Sequence, residues 1–326
     1  MTTARALTVP AHGDSSVLEV REVEVPDPGP GEVQVRVVAM GVNFIDVYQR
    51  QGVYEVATPF VLGGEGAGEV VAVGDGVTGV AEGDRVAWAQ GLGSHTTLVN
   101  RPAAHLVPVP DAVDLETAAA AMLQGLTAHY LVNSTYAVQP GDVALVHAAA
   151  GGVGQLLVQL IRAKGAMVIA TAGSQAKLEI ARRLGASHTI DYSAVDDLAA
   201  EVRKANDGKG VDVAYDGVGK TTFDASLASL RPRGMMVLFG GSSGQVPPFD
   251  LQRLNSGGSL YITRPTLAHY IATRQELLER ANSLLGEIAA GWLHVEIGGR
   301  YPMSEAARAY DDLEARRTTG KLILLP

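Results

Sequence analysis

His147-Ala-Ala-Ala-Gly-Gly-Val-Gly154 stands between the apolar run Asp142-Val-Ala-Leu-Val146 and the helix-patterned segment Gln155-Leu-Leu-Val-Gln-Leu-Ile-Arg162. The order is strand, glycine turn, helix. A backbone that bends sharply and lets a phosphate lie against it has no room for β-carbons, and Gly151, Gly152 and Gly154 remove them. The first amides of the helix, from Gly151, Gly152, Val153 and Gly154, then face the anion together with the positive end of the helix dipole. The spacing Ala149-x-Gly151-x-x-Gly154 is a variant of the three-glycine dinucleotide turn.

The same alternation continues outward. A helix to about Lys164 leads to the strand Met167-Val-Ile-Ala-Thr171, a helix over 174–184 to Ser187-His-Thr-Ile190, and a helix near 197–205 to Val211-Asp-Val-Ala-Tyr215. A helix near 222–230 and the strand Met235-Met-Val-Leu-Phe239 follow, with Gly258-Ser-Leu-Tyr-Ile-Thr263 as a further strand. Short apolar strands alternating with helices predict a doubly wound parallel sheet of the Rossmann type. Val143 to Ile161 lacks Asp, Glu, Lys and Arg, but three glycines and His147 interrupt it, so a membrane span is rejected.

The second strand of such a sheet ends where NAD-preferring folds place a carboxylate for the ribose hydroxyls. Here the sequence reads Thr171-Ala-Gly173, with no carboxylate to repel a 2′-phosphate. Ser174 is a helix N-cap, yet Lys177 stands where a capping box carries Glu or Gln. A cation in the first turn opposes the helix dipole unless a phosphate lies between them. Gly173, Ser174 and Lys177 therefore predict NADPH as the cofactor.

At 326 residues the chain exceeds one ordinary core, so two domains are expected. There is no cysteine, which removes disulfide and thiolate chemistry. The net charge of −9 argues against nucleic acid as a partner. The first residues lack the apolar core of a signal peptide, which predicts a cytoplasmic protein. Eight histidines are scattered without one-turn pairs, and no metal site is expected.

Before the alternating region the pattern is β. Arg5-Ala-Leu-Thr-Val9, residues 18–25, Val33-Gln-Val-Arg-Val-Val38, Gly66-Ala-Gly-Glu-Val-Val-Ala-Val73, Asp84-Arg-Val-Ala-Trp88 and a strand near 94–100 predict a compact barrel. An Ala-rich helix over 115–131 connects it to the glycine turn. A tail follows, with a helix over 267–290, a strand at 294–297, a helix over 304–314 and a last strand at 321–325. The tail is expected to return to the barrel.

Several stretches together resemble the zinc-independent quinone oxidoreductases of the medium-chain dehydrogenase/reductase superfamily. They are Gly41-Val-Asn-Phe-Ile-Asp-Val-Tyr48 with Tyr54, Gly63-Gly-Glu-Gly-Ala-Gly68, Glu82-Gly-Asp-Arg-Val86, Gln124-Gly-Leu-Thr-Ala128, the glycine turn itself and Phe239-Gly-Gly-Ser-Ser-Gly244. The resemblance implies an α/β protein with a GroES-like β-barrel catalytic domain, residues 1–126 and 266–326, and a Rossmann domain, residues 127–265. Zinc-dependent relatives have a His where this chain has Gly64, and cysteine ligands that this chain lacks.

The implied activity is metal-independent hydride transfer from NADPH to a quinone, with reduction of the C=C bond of an enal or enone as the alternative. The resemblance places Asn43, Tyr48, Tyr54, Gln124 and Thr127 in the catalytic cleft, with Asn43 and Thr127 also at the cofactor. It brings Tyr192 over the 2′-phosphate, and Phe239, Gly240, Ser242 and Arg264 along the cofactor. Gln124 sits where many relatives have Lys. An apolar, tyrosine-bearing strand over 258–263 at a sheet edge, and the resemblance, both predict a homodimer joined there.

Overall fold

The computed structural model describes residues 1–326, which divide into two compact units, Met1–Leu126 with Ile271–Pro326, and Thr127–Tyr270. The first unit opens with β1 (Thr2–Val9), β2 (Glu19–Val25), β3 (Glu32–Val42), helix α1 (Phe44–Arg50), β4 (Phe60–Val61), β5 (Gly66–Val73), β6 (Arg85–Trp88), β7 (Leu98–Pro102) and β8 (Val107–Pro108), followed by helix α2 (Leu115–Tyr130), whose residues from Thr127 on belong to the second unit. Val33, Val35, Val37 and Met40 of β3 pack with Leu7, Val70, Val86, Trp88 and Leu106 into one core.

The second unit contains β9 (Val143–Val146), α3 (Gly152–Ala163), β10 (Met167–Ala172), α4 (Gln175–Leu184), β11 (His188–Asp191), α5 (Leu198–Ala205), β12 (Val211–Asp216), α6 (Phe223–Ser229), β13 (Leu230–Leu238), α7 (Gln252–Ser256) and β14 (Tyr261–Thr263). Its six strands run in the order β11-β10-β9-β12-β13-β14, and every pair is parallel. All four residues of the central β9 are buried, as a strand covered by helices on both faces requires. Strand order reverses beside β9, which is where open α/β sheets bind ligands at the carboxyl ends of their strands.

The tail supplies α8 (Arg274–Ala289), β15 (Ile297–Pro302), α9 (Ala306–Glu314) and β16 (Lys321–Leu325). The larger sheet of the first unit has the order β15-β16-β3-β5-β6-β8, with β7 also on β3, and the smaller sheet is β2-β1-β4. The last strand thus pairs with β3, Leu322 facing Val42 and Leu324 facing Met40. The larger GroES-like sheet is therefore completed by the last strand of the chain.

Three details depart from the sequence expectations. Residues 266–270 belong to the second unit, because Tyr270 stacks on Tyr130 at 4.1 Å and its hydroxyl bonds Thr135 at 3.0 Å. The tail helix starts at Arg274 rather than Leu267, since Thr273 and Glu276 form a capping box there. The strand expected at 294–297 lies at Ile297–Pro302, because parallel pairing with β16 begins at Ile297.

Candidate active site

In the second unit, the chain leaves β9 at His147 and turns through Ala148, which has φ 49°, into α3. A Cβ on Gly154 would overlap the carbonyl oxygen of Ala148, so only glycine lets helix and turn approach this closely. Gly151 is the N-cap and supplies no side-chain cap; its own amide, expected to face the anion, donates instead to the Ala148 carbonyl at 2.9 Å, which leaves the amides of Gly152, Val153 and Gly154 to an external acceptor. An anion is the ligand this cradle fits.

Beneath the turn lies a buried hydrogen-bond chain whose direction chemistry fixes. Asp216 accepts the amides of Val218 (2.8 Å) and Gly219 (3.0 Å) and the hydroxyls of Thr222 and Ser226 (both 2.7 Å). Ser226 uses its one O–H to donate to the carboxylate, so its oxygen accepts from Nε2–H of His147 at 2.9 Å. Nδ1 of His147 is then the acceptor for the Thr171 hydroxyl at 2.9 Å. Burial lowers the His147 pKa and keeps the ring neutral, as this pattern needs. The chain ties together the ends of β9, β10 and β12, which carry the loops of the candidate cofactor site.

At the end of β10, Ser174 caps α4 by accepting the Lys177 amide at 3.4 Å. The Lys177 side chain is half-buried in the first turn of that helix. Tyr192 closes over Gly173, and a Cβ there would lie 2.6 Å from the phenol oxygen. Gly173, Ser174, Lys177 and Tyr192 are thus gathered at one strand end. After β13, Phe239 packs on Gly217, and the Ser242 amide donates to the Gly217 carbonyl at 3.2 Å. Gly240 also fits against Gly217, whose carbonyl oxygen a Cβ would overlap. Arg264 is exposed just past β14 and Thr127 is buried in α2.

In the first unit, the rings of Tyr48 and Tyr54 lie with centroids 5.3 Å apart and planes tilted by 59°, and Tyr54 is 41% exposed. Asn43, the N-cap of α1, is buried and fully engaged. Its Nδ2 donates to Glu65 Oε2 (2.8 Å) and to the Gly41 carbonyl (3.3 Å). Its Oδ1 accepts from Lys321 Nζ (2.7 Å) and Gln124 Nε2 (3.4 Å). Lys321 also pairs with Glu65 at 2.5 Å, and both side chains are about fully buried, 1% and 0% exposed.

A second buried cluster adjoins it. Asp46 accepts the Asn43 amide (2.8 Å) and the Tyr310 hydroxyl (2.9 Å), and Tyr310 stands 3.5 Å from Nδ1 of His95. Nε2–H of His95 donates to the Gly41 carbonyl at 3.1 Å. Desolvation dominates both titrations, pushing Asp46 up to about 7 and His95 down to about 4.

Glu65, Lys321, Asp46, His95 and Tyr310 were not singled out by sequence reasoning. The available signal was Lys321, a charge opening the apolar run Lys-Leu-Ile-Leu-Leu. The donor set for zinc does not fit: no group of three or more His, Cys, Asp or Glu that could hold a metal ion is present. Where a ligating histidine would precede Glu65, the chain has Gly64.

Residues 29–111 match the family described as alcohol dehydrogenase GroES-like domain, and residues 152–283 the family described as zinc-binding dehydrogenase. The chain is 47% identical over 325 residues to the quinone oxidoreductase of Pseudomonas aeruginosa, covering 99% of this chain and 100% of the relative. It is 44% identical to the 2-haloacrylate reductase of a Burkholderia species, covering 94% of each. The crystal structure of Escherichia coli quinone oxidoreductase complexed with NADPH superposes with a TM-score of 0.97 at 42% identity, covering 100% of both chains. With a GroES-like barrel, a six-stranded Rossmann sheet and this identity along its whole length, the chain belongs to the quinone oxidoreductase family of the medium-chain dehydrogenases/reductases.

Proposed function

We propose that this chain is a cytoplasmic, homodimeric NADPH-dependent quinone oxidoreductase that works without a metal ion. The observation that carries the reading is the 47% identity, end to end, to a protein named quinone oxidoreductase. When bound, NADPH supplies the hydride. The chain's own work is to bind, orient and exclude water.

Gly152, Val153 and Gly154 offer amides to the pyrophosphate, and Ser174 and Lys177 offer a hydroxyl and a cation to the 2′-phosphate. Tyr48 and Tyr54 present two aromatic faces against which a flat, conjugated ring packs, and their hydroxyls are donors for its carbonyl oxygens. A quinone accepts a hydride readily, so no Lewis acid is required of the protein.

Reduction of a polarised C=C bond is the second reading, favoured by the 44% identity to a 2-haloacrylate reductase. Oxidation of NADPH measured across benzoquinone, naphthoquinone, phenanthrenequinone and an alkenal separates the two. The quinones are expected to turn over about tenfold faster or more, a barrier difference of about 1.4 kcal/mol. An alkenal that outpaces all three quinones decides for the second reading.

A homodimer through β14 is supported by the position of this strand at the sheet edge and by Tyr261, which is 57% exposed. Light scattering at micromolar concentration is expected to give twice the chain mass, and Tyr261→Asp to shift it toward the monomer. A wild-type monomer mass overturns this.

A further inference from the structure

The buried pair of Lys321 and Glu65 has no part in the function described so far, and burying two charges is a poor route to stability. Their surroundings fix something else. An ammonium only donates hydrogen bonds and a carboxylate only accepts them. Lys321 Nζ reaches the Asn43 amide at 2.7 Å and therefore meets its oxygen. Glu65 Oε2 reaches the other end at 2.8 Å and therefore meets its nitrogen. Exchanging the two ends would set N–H against N–H and oxygen against carboxylate, so this amide has one orientation.

The constraint passes to the next side chain. Asn43 shows Gln124 an oxygen, so Gln124 turns its NH2 inward, at 3.4 Å. Its carbonyl Oε1 then takes the side away from Asn43 on a half-buried residue, and no hydrogen bond to it is formed within the protein. Glu65 also holds the backbone here, since Oε1 accepts the amide of Leu123, the residue before Gln124, at 2.5 Å. Gly41 makes room, because a Cβ there would overlap Glu65 Oε2.

We infer that Lys321 and Glu65 are positioning residues that set the polarity of the Asn43–Gln124 amide pair, so that Gln124 offers bound ligands an acceptor and selects a hydrogen-bond donor. Resting on the reading above, two ligand groups carry such a donor: the carboxamide N–H of the nicotinamide and the O–H of a hydroquinone product. A ligand lacking the donor leaves a desolvated carbonyl unpaired, which lowers affinity by about tenfold or more.

The test reads binding, without turnover. NADPH is compared with its reduced 3-acetylpyridine analogue, in which a methyl replaces the amide NH2, and naphthohydroquinone with its dimethyl ether. Wild-type protein is expected to prefer the donor-bearing member of one pair by about tenfold. A preference in the first pair assigns the nicotinamide, and one in the second assigns the hydroquinone. Gln124→Leu and the neutral double variant Glu65→Gln/Lys321→Met are both expected to bring that ratio to within about twofold of unity. Gln124→Glu, whose protonated carboxyl keeps an O–H donor toward Asn43 and a carbonyl acceptor toward the ligand, is expected to retain it.

The NADPH-to-NADH affinity ratio, set at Lys177, serves as the control that the double variant is folded. If the double variant does not fold, the contrast between Gln124→Leu and Gln124→Glu, with Lys321→Arg retaining the wild-type ratio and Lys321→Gln losing it, decides instead. The inference is overturned by a wild-type ratio near unity in both pairs, or by a ratio that the double variant leaves at its wild-type value. Failure of the quinone reading itself shows separately, as absence of NADPH-dependent quinone turnover by the wild type.

Discussion

Asp46→Asn is expected to lose stability relative to wild type by about 2 to 3 kcal/mol as the pH falls from 8 to 5. Asp46 titrates near 7 in the folded protein against a usual 3.8, so folding favours its protonated form. That contribution is fully present below about pH 4 and is lost as the pH rises through 7. His95, depressed to about 4, has the opposite sign: its contribution is present above the usual 6.5 and is lost as the pH falls through 4. Between pH 5 and 8 the two trends oppose one another, which flattens the wild-type profile. Removing the titration of Asp46 leaves that of His95 uncompensated.

Tyr310 links the pair through the single proton of its hydroxyl. When Asp46 is ionised, that proton goes to the carboxylate at 2.9 Å. When Asp46 is protonated, Tyr310 is free to turn its proton to Nδ1 of His95, 3.5 Å away. Urea unfolding at pH 5, 6, 7 and 8 checks the claim. Parallel profiles for wild type and Asp46→Asn would sink it.

The second large effect concerns cofactor choice. Lys177→Ala is expected to weaken NADPH by about ten- to a hundredfold, the loss of one charge-assisted hydrogen bond, and to leave NADH nearly unchanged. The first turn of α4 contains no acidic residue, and its N-cap is Ser174. A cation beside that dipole is unfavourable until a dianionic phosphate arrives, and the phosphate then gains from both. Titration with each cofactor decides: equal weakening of the two, or a wild-type preference for NADH, shows that Lys177 does not read the 2′-phosphate.

The Rossmann sheet was legible because its strands are short apolar runs and its turn has glycines at fixed offsets, both local signals. The barrel was legible from β punctuation before residue 111. The buried clusters were not, because each joins residues whose local roles are ordinary. Asp46 is the N3 residue of α1, and its capping box gives no hint of burial. His95 sits in a polar Ser94–Thr97 stretch that marks neither core nor site. Lys321 opens a strand, where a lysine is usually a solvated edge, and only pairing with β3 brings it to Glu65. Arg50, in the last turn of α1, looks like a surface charge at a helix end but is buried over Tyr310 and pairs with Glu314. These contacts span more than 200 residues of sequence, beyond the reach of periodicity.

The position of β16 also governs the order in which this protein assembles on the ribosome. Leu322 pairs with Val42, so the first unit waits for about 280 further residues before its sheet can close. At about 5–20 residues per second that is a delay of roughly 15 to 55 seconds. The dinucleotide unit, contiguous from Thr127 to Tyr270, emerges whole during the delay. Throughout it, the edge of β3 that awaits β16 is an unpaired strand edge of the kind that chaperones shield and neighbouring nascent chains can capture.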